Sequence, residues 1–298
     1  MRNVRIGWWI AGVVGAALLV LAILVYARFR RDMRAARRRL DELGSEVAET
    51  DCGRGEYGTF GQGNPVLVLH GIFGGYDQGL VVARGQLVEG FWAIVPSRYG
   101  YLRTPLPDDA SPATQADAYA CLLDALGIEQ AAVVATSAGG TSALQFALRH
   151  PDRCSGLVLV SSNAPGETEA ALPPKPLARV LFRSNLAFWM LRTYFPSSLR
   201  SIMGVPRGFE LTSEQEAEMA EVMDTLLPVR PRADGALFDM YVSNPDINTG
   251  YPLSDMAMPV LVLHAVDDPL ASYENAREMA QEIPEGELVT FASGGHPL

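Results

Sequence analysis

The sequence predicts an α/β domain built on a mostly parallel sheet flanked by helices, preceded by one transmembrane helix. Three observations carry that prediction. Short apolar runs of strand length alternate with helical stretches over about 235 residues, chemistry-bearing turns follow several of those runs, and a charge-free stretch occupies the N-terminus.

The charge-free stretch runs from Ile6 to Ala27, about 22 residues, which as a helix crosses a hydrocarbon core of roughly 30 Å. Trp8 and Trp9 stand near one end and Tyr26 near the other, where amphipathic rings favour the headgroup zone. A cleaved signal peptide needs a shorter apolar region and a small-residue cleavage site. This stretch runs instead into Arg28, Arg30, Arg31, Arg34, Arg37, Arg38 and Arg39. Residues 1–27 are therefore read as an uncleaved anchor whose partner, through residues 6–27, is membrane lipid. Only Arg2 and Arg5 precede it, and the arginine-rich side stays cytoplasmic, which predicts a single-pass protein with a cytoplasmic catalytic domain.

Nine arginines and Asp32 give residues 1–39 a charge of +8, so the total of −10 leaves −18 on the remainder. A globular part that acidic repels nucleic acid and anionic lipid, which leaves the basic tail as the electrostatic attraction to a membrane. Nucleic acid is excluded as a partner. Cys52, Cys121 and Cys154 are odd in number and lack metal-ligand spacing, so they read as buried thiols, in keeping with a cytoplasmic location.

Residues 28–51 read as a charged, mostly helical stalk, with Leu40, Leu43 and Val47 at helical spacing. The domain proper is expected over 52–298, opening with glycine-rich turns and a strand between Cys52 and Gly63. Strands follow at Val66–Leu69, Trp92–Val95, Ala131–Ala135, Leu157–Val160, Val260–Leu263 and Leu288–Phe291. Helical patterns fall at 114–126, 139–149 and 272–282, the arrangement of crossovers around a parallel sheet. Between about 163 and 252 the alternation lapses into an insert rich in Met, Phe, Leu and Pro, read as a helical lid, or as a helical layer lying on the sheet.

Ala135-Thr136-Ser137-Ala138-Gly139 lies between a strand-like and a helix-like run. Strand, sharp turn and helix in that order raise a serine oxygen above the end of a sheet, so Ser137 is the candidate nucleophile. Taken alone, the same pentapeptide also reads as a serine-capped helix start. The first strand ends in His70-Gly71-Ile72-Phe73-Gly74-Gly75, a turn whose backbone N–H groups can face a developing oxyanion. Ile72 N–H is the candidate donor there, and Ala138 N–H is the second.

A serine needs a base, and the chain has four histidines. His70, His150 and His264 frame strand or helix ends. His296, in a glycine-rich loop after the last strand run, lies downstream of every acid candidate and is the candidate base. The acid comes from Asp267-Asp268-Pro269. Asp268 is favoured because the following proline holds it out of helical geometry, with Asp267 as the alternative.

With Ser137, Asp268 and His296 in that order and a glycine turn ahead of the serine, residues 53–298 resemble the α/β-hydrolase superfamily. Arg149-His150-Pro151-Asp152-Arg153, leading into the next strand, adds to the resemblance. It implies that these three residues form a catalytic triad, that Ile72 and Ala138 line an oxyanion hole, and that no metal or organic cofactor is used. The sequence departs from the family in three places. Ala135 stands for the first elbow glycine, and Ser97 stands where relatives carry an aspartate. Relatives also add a helix after the histidine loop, whereas this sequence stops at Leu298, so the expectations are a truncated C-terminus or a loosely held His296.

The function expected is a membrane-anchored serine hydrolase, esterase- or lipase-like, acting on esters, thioesters or amides of apolar acyl groups. Phe73, Tyr76, Asp77 and Gln78 beside the oxyanion turn are candidates for substrate recognition, with capping of the loop as the alternative for the last three. Other cofactor-free chemistry of the same fold (carbon–carbon hydrolysis, acyl transfer, peroxidation) is the enzymatic alternative, and a non-catalytic module holding an apolar ligand is the non-enzymatic one. Composition specifies neither the substrate nor the oligomeric state.

Overall fold

The computed structural model describes residues 2–166 and 172–297. Residues 167–171 of the expected insert and the terminal Leu298 lie outside the described residues. The chain forms two compact units, Met1–Glu42 and Leu43–Leu298.

The first unit is one unbroken helix, α1 (Arg2–Leu43). Val13, Leu18, Leu19, Val20 and Leu21 are all exposed although consecutive positions point around the whole helix. An all-round apolar surface suits lipid rather than a one-sided core. This helix is long and apolar enough to cross a membrane.

The second unit carries an eight-stranded sheet: β1 (Glu46–Thr50), β2 (Gly53–Gly61), β3 (Asn64–Leu69), β4 (Phe91–Pro96), β5 (Ala131–Thr136), β6 (Cys154–Val160), β7 (Val260–Ala265) and β8 (Gly286–Phe291). Their spatial order is β1-β2-β4-β3-β5-β6-β7-β8. The β1/β2 and β2/β4 pairs are antiparallel, and every later pair is parallel. Val66, Leu67, Val68 and Leu69 are buried in succession, which requires cover on both faces of the sheet. One correction concerns the stalk. Its helical part ends at Leu43, and residues 46–50 form the edge strand β1 of the domain.

Helices α2 (Tyr76–Gln86), α3 (Pro112–Ala125) and α4 (Gly139–Arg149) make the first crossovers. Pro112 at the first helical position and a capping box between Ser111 and Thr114 set the start of α3. The regular elements of the insert's described part are helices: α5 (Lys175–Phe182), α6 (Asn185–Tyr194), α7 (Pro196–Ile202), α8 (Ser213–Thr225) and α9 (Ala233–Phe238). The last of these passes through a π-helical stretch at Asp239–Ser243 into α10 (Asn244–Asp246). Helix α11 (Tyr273–Glu282) then links β7 to β8. Strand β3 has β4 on one side and β5 on the other, so the chain direction reverses there and opens a crevice at the carboxyl ends of β3 and β5.

A second correction concerns the cysteines. Cys52, in the turn after β1, and Cys121, on α3, form a disulfide across 69 residues of sequence. Only Cys154 is a buried free thiol, and burial pushes it up to about 11. The argument from cysteines for a reducing compartment therefore lapses. Closing a loop of that length constrains the unfolded chain, so reduction is expected to lower stability by about 2–4 kcal/mol. Thermal unfolding with and without dithiothreitol measures it, and Cys52→Ser should reproduce the effect and remove the response to reductant.

Candidate active site

Strand β5 ends at Thr136 and α4 begins at Gly139, which leaves two residues for the turn. Ser137 adopts φ 52°, a left-handed conformation costly for any residue with a Cβ. Two hydrogen bonds hold it: Ser137 N–H donates to the Val160 carbonyl and Gly140 N–H to the Ser137 carbonyl, each at 3.0 Å. Glycine at 139 follows from close approach, since a Cβ there would lie 2.8 Å from the Leu69 carbonyl oxygen. Ala135, in place of the first family glycine, is buried in register between Leu69 of β3 and Leu159 of β6. Its methyl group is buried in the hydrophobic core.

The structure brings the three candidates together from the turn after β5 and the loops after β7 and β8. His296 Nε2 lies 2.7 Å from Ser137 Oγ, and His296 Nδ1 lies 2.8 Å from Asp268 Oδ2. Asp268 Oδ1 accepts the Leu270 and Ala271 N–H groups at 2.8 and 3.0 Å, and its carboxylate has no exposed surface. Burial works to raise its pKa, but the hydrogen bond and charge of His296 and the two backbone donors hold it below the usual carboxylate value. It is therefore ionised at neutral pH.

Asp267 has a different place. Its Oδ1 accepts Gly295 N–H at 2.8 Å, while His296 N–H donates to the Gly204 carbonyl at 3.0 Å. The histidine loop is thus tied to β7 on one side and to the insert on the other, and the expectation of a loosely held His296 is not met.

The other histidines are engaged elsewhere. His70 is buried, accepts Arg98 N–H at Nε2 and lies 2.8 Å from the Gly71 carbonyl through Nδ1; burial and the Arg98 charge lower its pKa well below the usual value. His150 faces Asp117 at 2.8 Å. His264 contacts the Ala271 carbonyl and stands 3.4 Å from Asp268 Oδ2, its pKa lowered by burial.

The turn after β3 lies against the serine, since a Cβ on Gly71 would come within 3.4 Å of Ser137 Cβ. Neither Ile72 N–H nor Ala138 N–H donates to a protein acceptor among the described residues. Two free backbone donors beside a serine suit an anionic oxygen. Phe73 (φ 60°) meets Phe182 and Phe188 of the insert with ring centroids 4.7 and 5.3 Å apart.

The recognition role expected for Tyr76, Asp77 and Gln78 gives way to the capping alternative, because all three are buried and occupied. Asp77 receives a two-pronged ion pair from Arg232 at 2.9 and 2.8 Å, Gln78 Oε1 accepts Gly71 N–H at 3.2 Å, and Tyr76 N–H donates to Ser97 Oγ. Ser97 in turn donates to the buried Glu56, so this departure from the family loop is built into a local network.

Sequence reasoning missed a buried ion pair near the site. Arg98 and Asp239, 141 residues apart, form a buried two-pronged pair at 2.7 and 2.5 Å. Arg98 Nε also donates to the His70 carbonyl at 2.9 Å, and Tyr101 donates its hydroxyl to Asp239. Burial alone would lower the Arg98 pKa, but the Asp239 charge raises it, so the guanidinium stays charged. The pair links the turn after β3 to the π-helical stretch of the insert. Asp239→Ala would leave that cation buried without its partner and is expected to cost about 3–5 kcal/mol. Denaturant unfolding measures this, and replacing both partners by Arg98→Met with Asp239→Leu should cost less than the single change.

Comparison with known proteins agrees with this architecture. A family model of the alpha/beta hydrolase fold matches residues 64–298. A Bacillus subtilis (strain 168) protein named as an uncharacterized hydrolase, YcgS, is 31% identical over 270 residues, covering 84% of this chain and 91% of its own. A 2-hydroxymuconate semialdehyde hydrolase of Pseudomonas putida is 28% identical over 249 residues, covering 79% and 82%. Among solved structures, an alpha/beta hydrolase fold protein from Nakamurella multipartita superposes with a TM-score of 0.68 at 32% identity, covering 85% of this chain and 92% of that one. By sequence model, relatives and sheet topology alike, the chain belongs to the α/β-hydrolase fold family and is a hydrolase.

Proposed function

We propose that the chain is a membrane-anchored serine hydrolase that cleaves ester, thioester or amide bonds of apolar acyl substrates through an acyl-enzyme. The observation that carries this reading is the continuous path from Ser137 Oγ through His296 to Asp268 at 2.7 and 2.8 Å. Ser137 Oγ attacks the carbonyl carbon as His296 Nε2 takes its proton, while Ile72 and Ala138 N–H hold the oxygen that becomes negative. Collapse breaks the bond to the leaving group, which departs with the proton from His296. A water, deprotonated by the same nitrogen, then releases the acid and restores Ser137. Asp268, ionised, keeps the proton on Nδ1 so that Nε2 is free to act as base. The aromatic contacts of Phe73 with Phe182 and Phe188 support an apolar acyl group. The full chain in detergent should label with a fluorophosphonate probe, and Ser137→Ala and His296→Ala should not. A folded native chain that fails to label would sink the mechanism.

Carbon–carbon hydrolysis by the same residues is the second reading, favoured by the likeness to the Pseudomonas putida hydrolase. Turnover of 2-hydroxymuconate semialdehyde in preference to acyl esters would select it.

We place the hydrolase domain on the cytoplasmic side of the membrane from the excess of arginines after α1's apolar stretch. The Cys52–Cys121 bond favours the opposite side, because disulfides persist in oxidising compartments. Maleimide-polymer labelling of rapidly denatured cells decides it: labelling of all three cysteines without prior reduction supports the cytoplasmic side, and labelling of one alone overturns it.

A further inference from the structure

The domain's overall charge predicts repulsion from anionic lipid, but that charge is unevenly spread. Residues 172–209 contain six cations and none of the chain's 34 Asp and Glu residues. Arg183, Arg192 and Arg200 pair with Asp234, Asp224 and Glu216 elsewhere in the insert. Lys175, Arg179 and Arg207 make no ion pair among the described residues and are exposed.

The same segment is apolar on two sides. On α5, Ala178 and Phe182 are buried, while Leu177, Val180 and Leu181 recur at helical spacing on the exposed side. On α6, Phe188 and Trp189 are buried, while Leu186, Met190 and Tyr194 form an outward stripe four residues apart. Phe195 and Ile202 extend the outward set at 57% and 58% exposure. Within 43–298, nine of the 17 large exposed apolar side chains among the described residues fall in 172–202, a concentration that scattered surface residues do not produce. Helices α5 and α6 adjoin, as do α6 and α7, so the stripes belong to one layer.

We propose that the outer face of α5–α7 docks on an anionic phospholipid bilayer. The outward side chains enter the acyl boundary, and Lys175, Arg179 and Arg207 take up lipid phosphates. A bilayer is favoured over a protein partner because the chain itself carries a helix long and apolar enough to cross one. The charge complementarity is local, in a domain that otherwise repels such a surface. From its inner side the same layer reaches the candidate site, through Phe182 and Phe188 on Phe73 and through Gly204 on His296. If the hydrolase reading holds, docking brings the lid helices and the apolar substrate to one surface.

The test uses spin labels on the full chain, one copy per nanodisc, at Val180→Cys, Phe195→Cys and Val88→Cys. Val88 is a control of comparable exposure outside the insert, 71% against 70% for Val180. The native chain put through the same labelling supplies the background from Cys52, Cys121 and Cys154, of which the structure bonds the first two and buries the third. In discs of phosphatidylglycerol and phosphatidylcholine, labels at 180 and 195 should become severalfold more accessible to oxygen than to a water-soluble nickel chelate, while position 88 stays aqueous. Lys175→Glu with Arg179→Glu and Arg207→Glu should return label 180 to water. Aqueous labels in both disc types would overturn the proposal, as would equal lipid contact in phosphatidylcholine alone. Immobilisation in detergent that grows with protein concentration would overturn it in favour of a second copy. None of these readouts depends on catalysis, so the docking surface and the hydrolase reading fail separately.

Discussion

Ser137→Ala is expected to lower turnover of an apolar acyl ester by about 10⁶-fold while leaving the fold intact. Only Oγ is lost. Alanine keeps the same Cβ, so the left-handed conformation at φ 52° is no more strained than before, and the two backbone hydrogen bonds that hold the turn remain. What disappears is the atom 2.7 Å from His296 Nε2 that would form the acyl bond. Backbone donors beside the site should retain a residual acceleration of about 10³–10⁴ over water. The check is kcat for p-nitrophenyl esters of increasing chain length alongside a thermal melt. A loss smaller than about tenfold with an unchanged melt would mean that chemistry does not pass through this serine.

Much of this site could be read from single residues because its parts sit at strand ends. The runs that became β3, β5 and β7 are continuous in sequence; the His70-Gly71 turn and Ser137 directly follow the first two, and Asp268 lies three residues past the third. His296 emerged by elimination, and the structure leaves the other three histidines in contacts of their own. Asp268 over Asp267 rested on the proline that follows; in the structure Asp268 lies 2.8 Å from the ring, and Asp267 accepts Gly295 N–H instead.

Features whose partners lie far apart in sequence were not legible. Arg98 finds Asp239 across 141 residues, Arg232 finds Asp77 across 155, and Cys52 finds Cys121 across 69. None carries a local period. A hint was present in Arg98, a charge placed two residues after a strand whose last four residues are buried, where an unpaired cation would be costly. Strand β1 was missed for another reason. Its five residues, Glu-Val-Ala-Glu-Thr, alternate weakly, follow a long helix and lie at the sheet edge, where only part of the strand needs burial.

In the proposed mechanism the two adjacent aspartates separate orientation of the base from anchoring of its loop. Asp268→Asn is expected to lower kcat by about 10⁴-fold with little change in KM. The amide nitrogen can donate where the carboxylate accepted, which favours the tautomer with its proton on Nε2 and so faces Ser137 with a donor instead of an acceptor. Loss of the negative charge also removes stabilisation of the imidazolium formed during attack. Asp267→Asn should behave differently, because its carbonyl oxygen can still accept Gly295 N–H and the loop needs no charge there. Asp267→Ala removes that acceptor, and the loop then relies on His296 N–H to Gly204. Its loss should appear as a lower melting temperature together with reduced kcat. Steady-state kinetics of the three variants, each with a melt, distinguish the roles. If Asp267→Asn were the more damaging of the two asparagine changes, the acid would be Asp267, and the hydrogen bond from His296 Nδ1 to Asp268 would not be the one that operates in catalysis.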